Sequence, residues 1–291
     1  MSETAKPQKK STAKEKMRQG EIFEVVPSRK FLSDYPDKPS ILFKRMQKNN
    51  PSPYEFYCQF NDEQLIGTSP EMFVRVTDKR IESCPISGTI KRGDNPIEDS
   101  KRIQQLLNSY KDEVELTMCT DVDRNDKSRV CTPGSIKLLA RRSIETYANL
   151  FHTVDHVEGT LRKDLIGIDG FLSHMWAVTL TGAPKKKATQ IIEELEQESR
   201  YWYGGAVGAL ALNGDINSCI TIRTIRLKDK LATYQSGASL VWDSNPKEEA
   251  QETTLKSGAF SYALGLSLKK KSQEPLPIID KASQNKKIII D

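Results

Sequence analysis

No stretch of the sequence is apolar over the about 20 residues that a membrane-crossing helix needs, and the lysine-rich start MSETAKPQKKSTAKEK has no apolar core of a signal peptide. The expected protein is soluble and intracellular, with the cytoplasm as its compartment and no membrane partner. Paired cysteine motifs are missing too. The five cysteines, Cys58, Cys84, Cys119, Cys131 and Cys219, are odd in number and scattered, which excludes a C-x-x-C zinc site or redox pair and predicts buried thiols in a reducing environment. The sequence holds no Ser-His-Asp set, no P-loop, no dinucleotide fingerprint and no internal repeat. Nor is there an interleaved basic and aromatic stripe: the net charge of +5 comes with lysines concentrated in the two ends, so a nucleic-acid partner is not expected.

A chain of 291 residues can bury a substantial core without disulfides. Residues 1–17 read as a disordered, lysine-rich tail, and GEIFEVV then enters the core as a helix end or strand. YEFYCQF, QLIGTSPEMFVRVTD and RIESCPISGTI are β-rich runs bounded by Asn, Asp, Gly and Pro, as in antiparallel strands with tight turns. Asn95-Pro96 opens one long helical pattern over 97–126, and GIDGFLSHMWAVTL and PKKKATQIIEELEQESR give two more helices. Strands return in WYGGAVGALALNG, SCITIRTIRLKD and KLATYQSGASLVWD, before a last helix in PKEEAQETTLKSG. Hairpin-linked strands with helices in blocks predict an α+β domain with antiparallel sheet. That domain spans 18–266, followed by a polar linker at 267–286. The final KIIID, 287–291, reads as the first strand of a further domain, so the chain is expected to be cut from a longer one.

Helical spacing puts Glu249, Glu252 and Lys256 on one stripe, which is either a solvated face or half of a site. Asp112 and Glu115 in KDEVELTM repeat the pattern beside apolar neighbours. Four carboxylates brought together need a cation, and a hard divalent ion such as magnesium suits oxygen ligands. Gly88-Thr89 in PISGT is either a plain turn or a carboxylate cradle, and Arg223 in TIRT either a surface strand arginine or a bidentate clamp. Gly204-Gly205 and Gly237 mark either a bulge or a close approach. Glu71 in GTSPEMF and His152 in NLFHTVDHVEG are proton-transfer candidates, although a histidine flanked by Leu150 and Phe151 is also a normal core residue. The residues alone thus indicate a magnesium-dependent enzyme acting on a carboxylated small molecule.

Taken in order, the motifs resemble the chorismate-utilising enzymes, above all the synthase component of anthranilate synthase, over residues 18–266. PISGT is similar to that family's P-I-A-G-T turn, DVDRND to D-L-x-R-N-D, TLTGAPK to S-G-A-P-K, YGGAVG and IRT to its later strands, and EAQETTLK to its terminal metal helix. The resemblance implies an antiparallel sheet sandwich flanked by helices. It implies Glu115 and Glu252 as magnesium ligands with Glu249 and Asp112 acting through water, and Lys256 facing a substrate carboxylate. Gly88, Thr89, Tyr203, Arg223 and Gly237 would surround chorismate, Glu71 would protonate the departing C4 hydroxyl, and His152 would lie near the ring. The implied reaction adds ammonia at C2, loses the C4 hydroxyl, and then eliminates pyruvate to give anthranilate.

Family members that use water carry a lysine base where this chain has Glu24, which speaks against isochorismate or salicylate synthesis; many anthranilate synthases have glutamine there. Leu116 and Ser239 also depart from the common pattern. With DVDRND, HTVDHVEG and the KIIID ending, they resemble the variant in which synthase and glutamine amidotransferase are fused, so ammonia is expected from such a domain. The N-terminal part that usually completes the synthase fold is not in the sequence, while NPSPYEF resembles part of a tryptophan feedback site. A homodimer is left open. The alternatives are a 2-amino-2-deoxyisochorismate synthase, which stops before pyruvate loss, and an inactive fragment that only binds a partner.

Overall fold

All strand ladders in the computed structural model, which describes residues 13–147, 150–196 and 198–265, are antiparallel. Residues 13–17, expected to belong to a disordered tail, are ordered. Residues 13–18 form a helical turn, α1. Its Ala13 is buried with Ile22, and Met17 packs on the same cluster, since one turn's separation puts both on a single face among the lysines. Residues 1–12, the linker expected at 267–286 and the segment 287–291 lie outside the described residues.

The first half runs through β1 (Glu24–Val25), β2 (Ser28–Asp34), α2 (Pro39–Asn49), β3 (Tyr54–Phe60), β4 (Glu63–Ser69), β5 (Met72–Thr77), β6 (Arg80–Ser83) and β7 (Ile86–Lys91). The helical pattern expected as one rod over 97–126 is two helices, α3 (Pro96–Leu107) and α4 (Tyr110–Ser128). Asn108 ends the first, and the Ser109 side chain accepts from the Asp112 amide to start the second, so two polar residues that compete for backbone bonds break the rod. Two long strands, β8 (Lys137–Thr146) and β9 (Leu150–Thr160), follow. GIDGFLSHMWAVTL likewise divides, into α5 (Gly167–His174) and α6 (Val178–Thr181). The chain then continues through β10 (Gly182–Ala183), α7 (Lys185–Glu196), β11 (Ala206–Leu210), β12 (Ile216–Ile220), β13 (Thr224–Lys228), β14 (Leu231–Gly237) and α8 (Pro246–Ala263). Asn245 caps α8, its side chain accepting from the Lys247 amide with Pro246 at the first turn.

These strands form a five-stranded sheet in the order β2-β14-β13-β4-β3 and a seven-stranded one in the order β11-β12-β5-β6-β9-β7, with β8 also on β9; β1 pairs β10. The α+β, antiparallel architecture expected from the strand runs is therefore present. Each large sheet has its own core. Ile66, Ile225 and Tyr234 of the five-stranded sheet pack under Leu42 and Met46 of α2 and Phe260 of α8. On the other sheet, Val74, Val76 and Ile81 pack with Ile216 and Ile220 and with the neighbouring Leu161, Ala177 and Leu180. Residues such as Ile66 and Ile225, both 0% exposed, contribute about 1.5–3 kcal/mol each by leaving water.

Candidate active site

Consecutive strands β4 and β5 lie in different sheets, and so do β12 and β13. The two links between them run side by side. Ser69 Oγ donates to the Ile220 carbonyl (2.7 Å), the Ile220 amide donates to the Glu71 carbonyl (3.1 Å), and the Thr68 amide donates to the Arg223 carbonyl (3.2 Å). Glu71 and Arg223 sit on these links, which explains why neither is a regular strand residue. Arg223, expected within a strand, lies in a bend before β13 with φ 51°, a left-handed conformation that costs a non-glycine residue about 1–2 kcal/mol. Two contacts hold it there: its Nη1 donates to the Lys256 carbonyl of α8 (3.1 Å), and its guanidinium hydrogen-bonds the Tyr234 hydroxyl, which itself donates to the same carbonyl (2.7 Å).

A bulge in β7 builds the facing wall. The register against β9 shifts between Ser87 and Thr89, leaving Gly88 as the extra residue at φ 72°. A Cβ there would meet Thr153 Oγ1 at 3.0 Å and the Asp112 Cβ at 3.1 Å, so only glycine lets the strand lie this close to α4. Thr89 Oγ1 is 3.0 Å from His152 Nδ1, which is 3.1 Å from the Gly88 carbonyl. A carbonyl only accepts, so Nδ1 carries the ring hydrogen and Nε2 is bare. Burial first, then the Arg223 charge, pushes the imidazole down to about 3, so it is neutral at physiological pH.

Between these walls lies a pocket enclosing about 760 Å³ of empty space, its open mouth included. Glu71, Gly88, Thr89, Glu115 and His152 line it, together with Tyr203, Arg223, Gly237, Glu252 and Lys256. Of the residues expected at a site, Asp112 and Glu249 are not in its wall and stand behind it on α4 and α8. Gly204 and Gly205, expected in a strand, precede β11 instead, with Gly204 at φ 74°. Gly237 ends β14, and a Cβ on it would come within 2.8 Å of Tyr203 Oη; its lack of a side chain is what admits the tyrosine to the wall.

Electrostatics divide the acids into two sets. Glu71 is 4% exposed, and burial lifts its carboxyl to about 8 against the opposing hydrogen bonds of Thr179 and Ile86 and the Lys256 charge. Thr179 Oγ1 donates to its Oε1 (2.9 Å). Burial likewise lifts Glu115 to about 8 and raises Asp112 and Glu249. Burial works to raise Glu252, but the Lys256 charge, the Lys256 hydrogen bond and the Lys111 charge together outweigh it and hold the carboxyl below the usual carboxylate range; Lys256 Nζ is 2.5 Å from Glu252 Oε1. Glu24, 0% exposed, rises to about 7 through burial.

The four carboxylates expected to share a magnesium ion do not stand as an unpaired cluster. Among the described residues no three His, Cys, Asp or Glu side chains form a ligand group. Lysines are interleaved instead: Lys111 of α4 pairs with Glu249 of α8 and lies 3.5 Å from Glu115 Oε1. Even so, Glu115 Oε1 and Glu249 Oε2 are buried without a hydrogen-bond partner, as is Glu24 Oε1. Orphaned, oxygen-only donors on two facing helices suit a hard divalent cation, so the residues present fit the group.

Sequence reasoning missed Lys111 and Thr179. Lys111 adjoins a chosen acid, but its partner is 138 residues away; Thr179 lies inside a quoted motif, yet only folding brings it to Glu71. Glu24 was singled out without a role, and it now appears as a buried acid whose Oε2 is 4.0 Å from Cys119 Sγ.

The chain matches the family of chorismate binding enzymes over residues 8–262. It is 50% identical over 254 residues to an anthranilate synthase of Azospirillum brasilense, covering 87% of this chain and 35% of that one. With anthranilate synthase component 1 of Acetivibrio thermocellus it shares 42% identity over 252 residues, covering 87% and 51%. Anthranilate synthase component I from Streptococcus pneumoniae TIGR4 superposes with a TM-score of 0.79 at 33% identity, covering 87% of this chain and 56% of that one. The chain thus spans between about a third and about half of the length of these relatives.

Proposed function

The chain belongs to the chorismate-binding enzyme family, and from that premise we propose that it is the catalytic region of an anthranilate synthase, turning chorismate and ammonia into anthranilate and pyruvate. The observation that carries this reading is Glu71. An acid lifted to about 8 stays protonated at neutral pH, so it can donate a proton to a departing hydroxyl. It shares its pocket with Arg223 and Lys256, cations that suit a substrate with two carboxylates.

Arg223 spends one N–H on the Lys256 carbonyl and another on the Tyr234 hydroxyl, which leaves three of the five that a guanidinium offers. Lys256, half-buried between Glu252 and the Gly237 carbonyl (3.1 Å), adds a second positive charge. The Gly88 and Thr89 backbone, the Thr89 hydroxyl and Tyr203 provide neutral donors that fix a ring between them. His152, neutral and bare at Nε2, accepts a hydrogen bond without adding charge. Glu71 gives its proton to the C4 oxygen, which leaves as water while ammonia adds at C2; loss of pyruvate then yields the aromatic ring. We assign Glu115 and Glu252 as direct magnesium ligands and Glu249 and Asp112 as partners through water; once bound, the ion would hold the ring carboxylate and offset negative charge shifting onto it.

Ammonia would come from a glutamine amidotransferase domain, fused or separate. A cytoplasmic setting is supported by five free cysteines, three of them buried, and no described helix is long and apolar enough to cross a membrane. Calorimetry with chorismate tests the site. Binding that strengthens with magnesium and survives a rise in salt supports the reading; binding that ignores magnesium and vanishes with salt refutes it in favour of a surface electrostatic association.

A further inference from the structure

Glu71 faces two cavities. Besides the pocket in front, it lines with Thr179 a smaller cavity, about 310 Å³ of empty space on the same measure, whose other walls include Ser83, Asp123, His174 and Lys185 and which leaves about 30 Å³ for the centres of water molecules. That is room for one or two waters, and the walls offer the polar partners that such waters need. Lys185 and Asp126 line this cavity and also an apolar surface groove. Lys185 therefore borders both the groove and the space behind the acid.

We propose that Lys185 returns a proton to Glu71 after each turnover, through water in this rear cavity, while substrate fills the pocket in front. The proposal rests on Glu71 acting as the acid in the reaction above. Once the carbon–oxygen bond breaks, its electron pair leaves with the oxygen, the Glu71 proton joins that oxygen, and water departs. Glu71 is then a carboxylate. An N–H bond of Lys185 breaks, its proton passes to a cavity water, and that water hands one of its own protons to Glu71. The neutral amine is recharged by hydronium or buffer acid in the groove, so the cycle closes without another reagent.

Lys185 suits this work. Its Nζ donates to an Asp126 carboxylate oxygen and to the His174 carbonyl (2.7 Å), which leaves its third hydrogen for a cavity water. Its side chain is 18% exposed, and burial pulls its ammonium below the usual lysine range, against the Asp126 charge. The neighbouring polar groups are already committed. Lys127 Nζ donates to Ser83 Oγ, to Asp123 Oδ2 (2.7 Å) and to His174 Nε2 (3.3 Å). The His174 Nδ1–H is taken by the Gly170 carbonyl (2.7 Å). That locked cluster holds the cavity open, and Lys185 is the cation in its wall that also reaches the groove.

Lys185→Arg separates the proton role from a structural one. Arginine keeps the charge and can still donate to Asp126 and His174, but it does not release protons. With Lys185→Met as second variant, rapid mixing with chorismate, magnesium and ammonium should show a first turnover at the parent rate, since Glu71 begins protonated, and later turnovers at least about tenfold slower in both variants. Equal loss in first and later turnovers, recovery in Lys185→Arg, or a defect abolished by saturating ammonium, which would mark a passage for ammonia, overturns the proposal. A second readout needs no turnover. The infrared band of the Glu71 carboxyl, assigned by its loss in Glu71→Gln, is followed for deuterium uptake with the front pocket filled by salicylate. Uptake at least about tenfold slower in both variants supports the relay; unchanged uptake in Lys185→Arg overturns it. A parent protein that makes no product from chorismate removes the proposed function and leaves the infrared result to decide the relay.

Discussion

Lys111→Met removes the cation that lies among the site's orphaned carboxylates. Methionine keeps most of the aliphatic stem, so the loss is chiefly one of charge. Its ion-pair partner is Glu249, and for unit charges about 3.5 Å apart at an effective dielectric of about 20 the attraction is about 5 kcal/mol. The side chain is 28% exposed, and carboxylates left behind can take up protons, so a net cost of about 3 kcal/mol is expected, near the lower figure for breaking a buried pair. For a chain of 291 residues that is a fall in Tm of roughly 5 °C. The sign with pH follows from Glu115, whose carboxyl is raised from 4.5 to about 8. Stability from its protonated form is full below about 4.5 and is lost as pH rises through about 8, and without Lys111 the carboxyl rises further, so the variant's deficit should widen with pH. Magnesium should narrow that deficit and bind Lys111→Met more tightly than the parent, because a dication takes over where the ammonium stood. Thermal unfolding with and without magnesium, joined to calorimetry, measures both effects. A variant as stable as the parent, or one that binds magnesium no better, refutes the reasoning.

Two further substitutions probe the pocket. Glu71→Gln should lower kcat by about 10²–10⁴-fold, and in the parent kcat/KM should hold steady at lower pH and fall above about 8, where Glu71 loses its proton; a parent profile flat through that range would contradict its role as the acid. In denaturant unfolding the same change should remove a loss of stability that sets in above about 4.5 and is complete above about 8. Gly237→Ala puts a Cβ 2.8 Å from Tyr203 Oη and 3.0 Å from the Pro27 carbonyl, so it should cost about 1–3 kcal/mol by overpacking and raise KM about tenfold with a smaller change in kcat. Unchanged KM would mean that Tyr203 does not contact substrate.

The site was legible where chemistry depends on local spacing. Glu249, Glu252 and Lys256 fall on one stripe of α8 whatever the remainder of the chain does, and Gly88 in PISGT marks a left-handed backbone position with no room for a side chain. It was illegible where a partner comes from far away. The carboxylates called for a cation, but spacing could not tell that Lys111, one residue before Asp112, would reach across to α8. Strands β8 and β9 went unassigned for a related reason. Thr153 and Asp155 of β9 are 0% and 1% exposed, yet they are polar, and Asp155 is satisfied by Thr120 Oγ1 (2.6 Å) and the Arg142 amide (2.7 Å). Hydrophobic alternation does not register a buried polar side chain whose hydrogen bonds are complete. Helix α2 was overlooked because only Leu42 and Met46 of its 11 residues are buried, too few for a clear apolar face.

The central claim meets its most direct test in the products formed from chorismate, magnesium and ammonium, identified by mass spectrometry beside a pyruvate assay. Anthranilate with an equal amount of pyruvate is the predicted result. An amino-chorismate product without pyruvate would shift the assignment to an aminodeoxyisochorismate synthase, and isochorismate or unchanged chorismate would contradict the account.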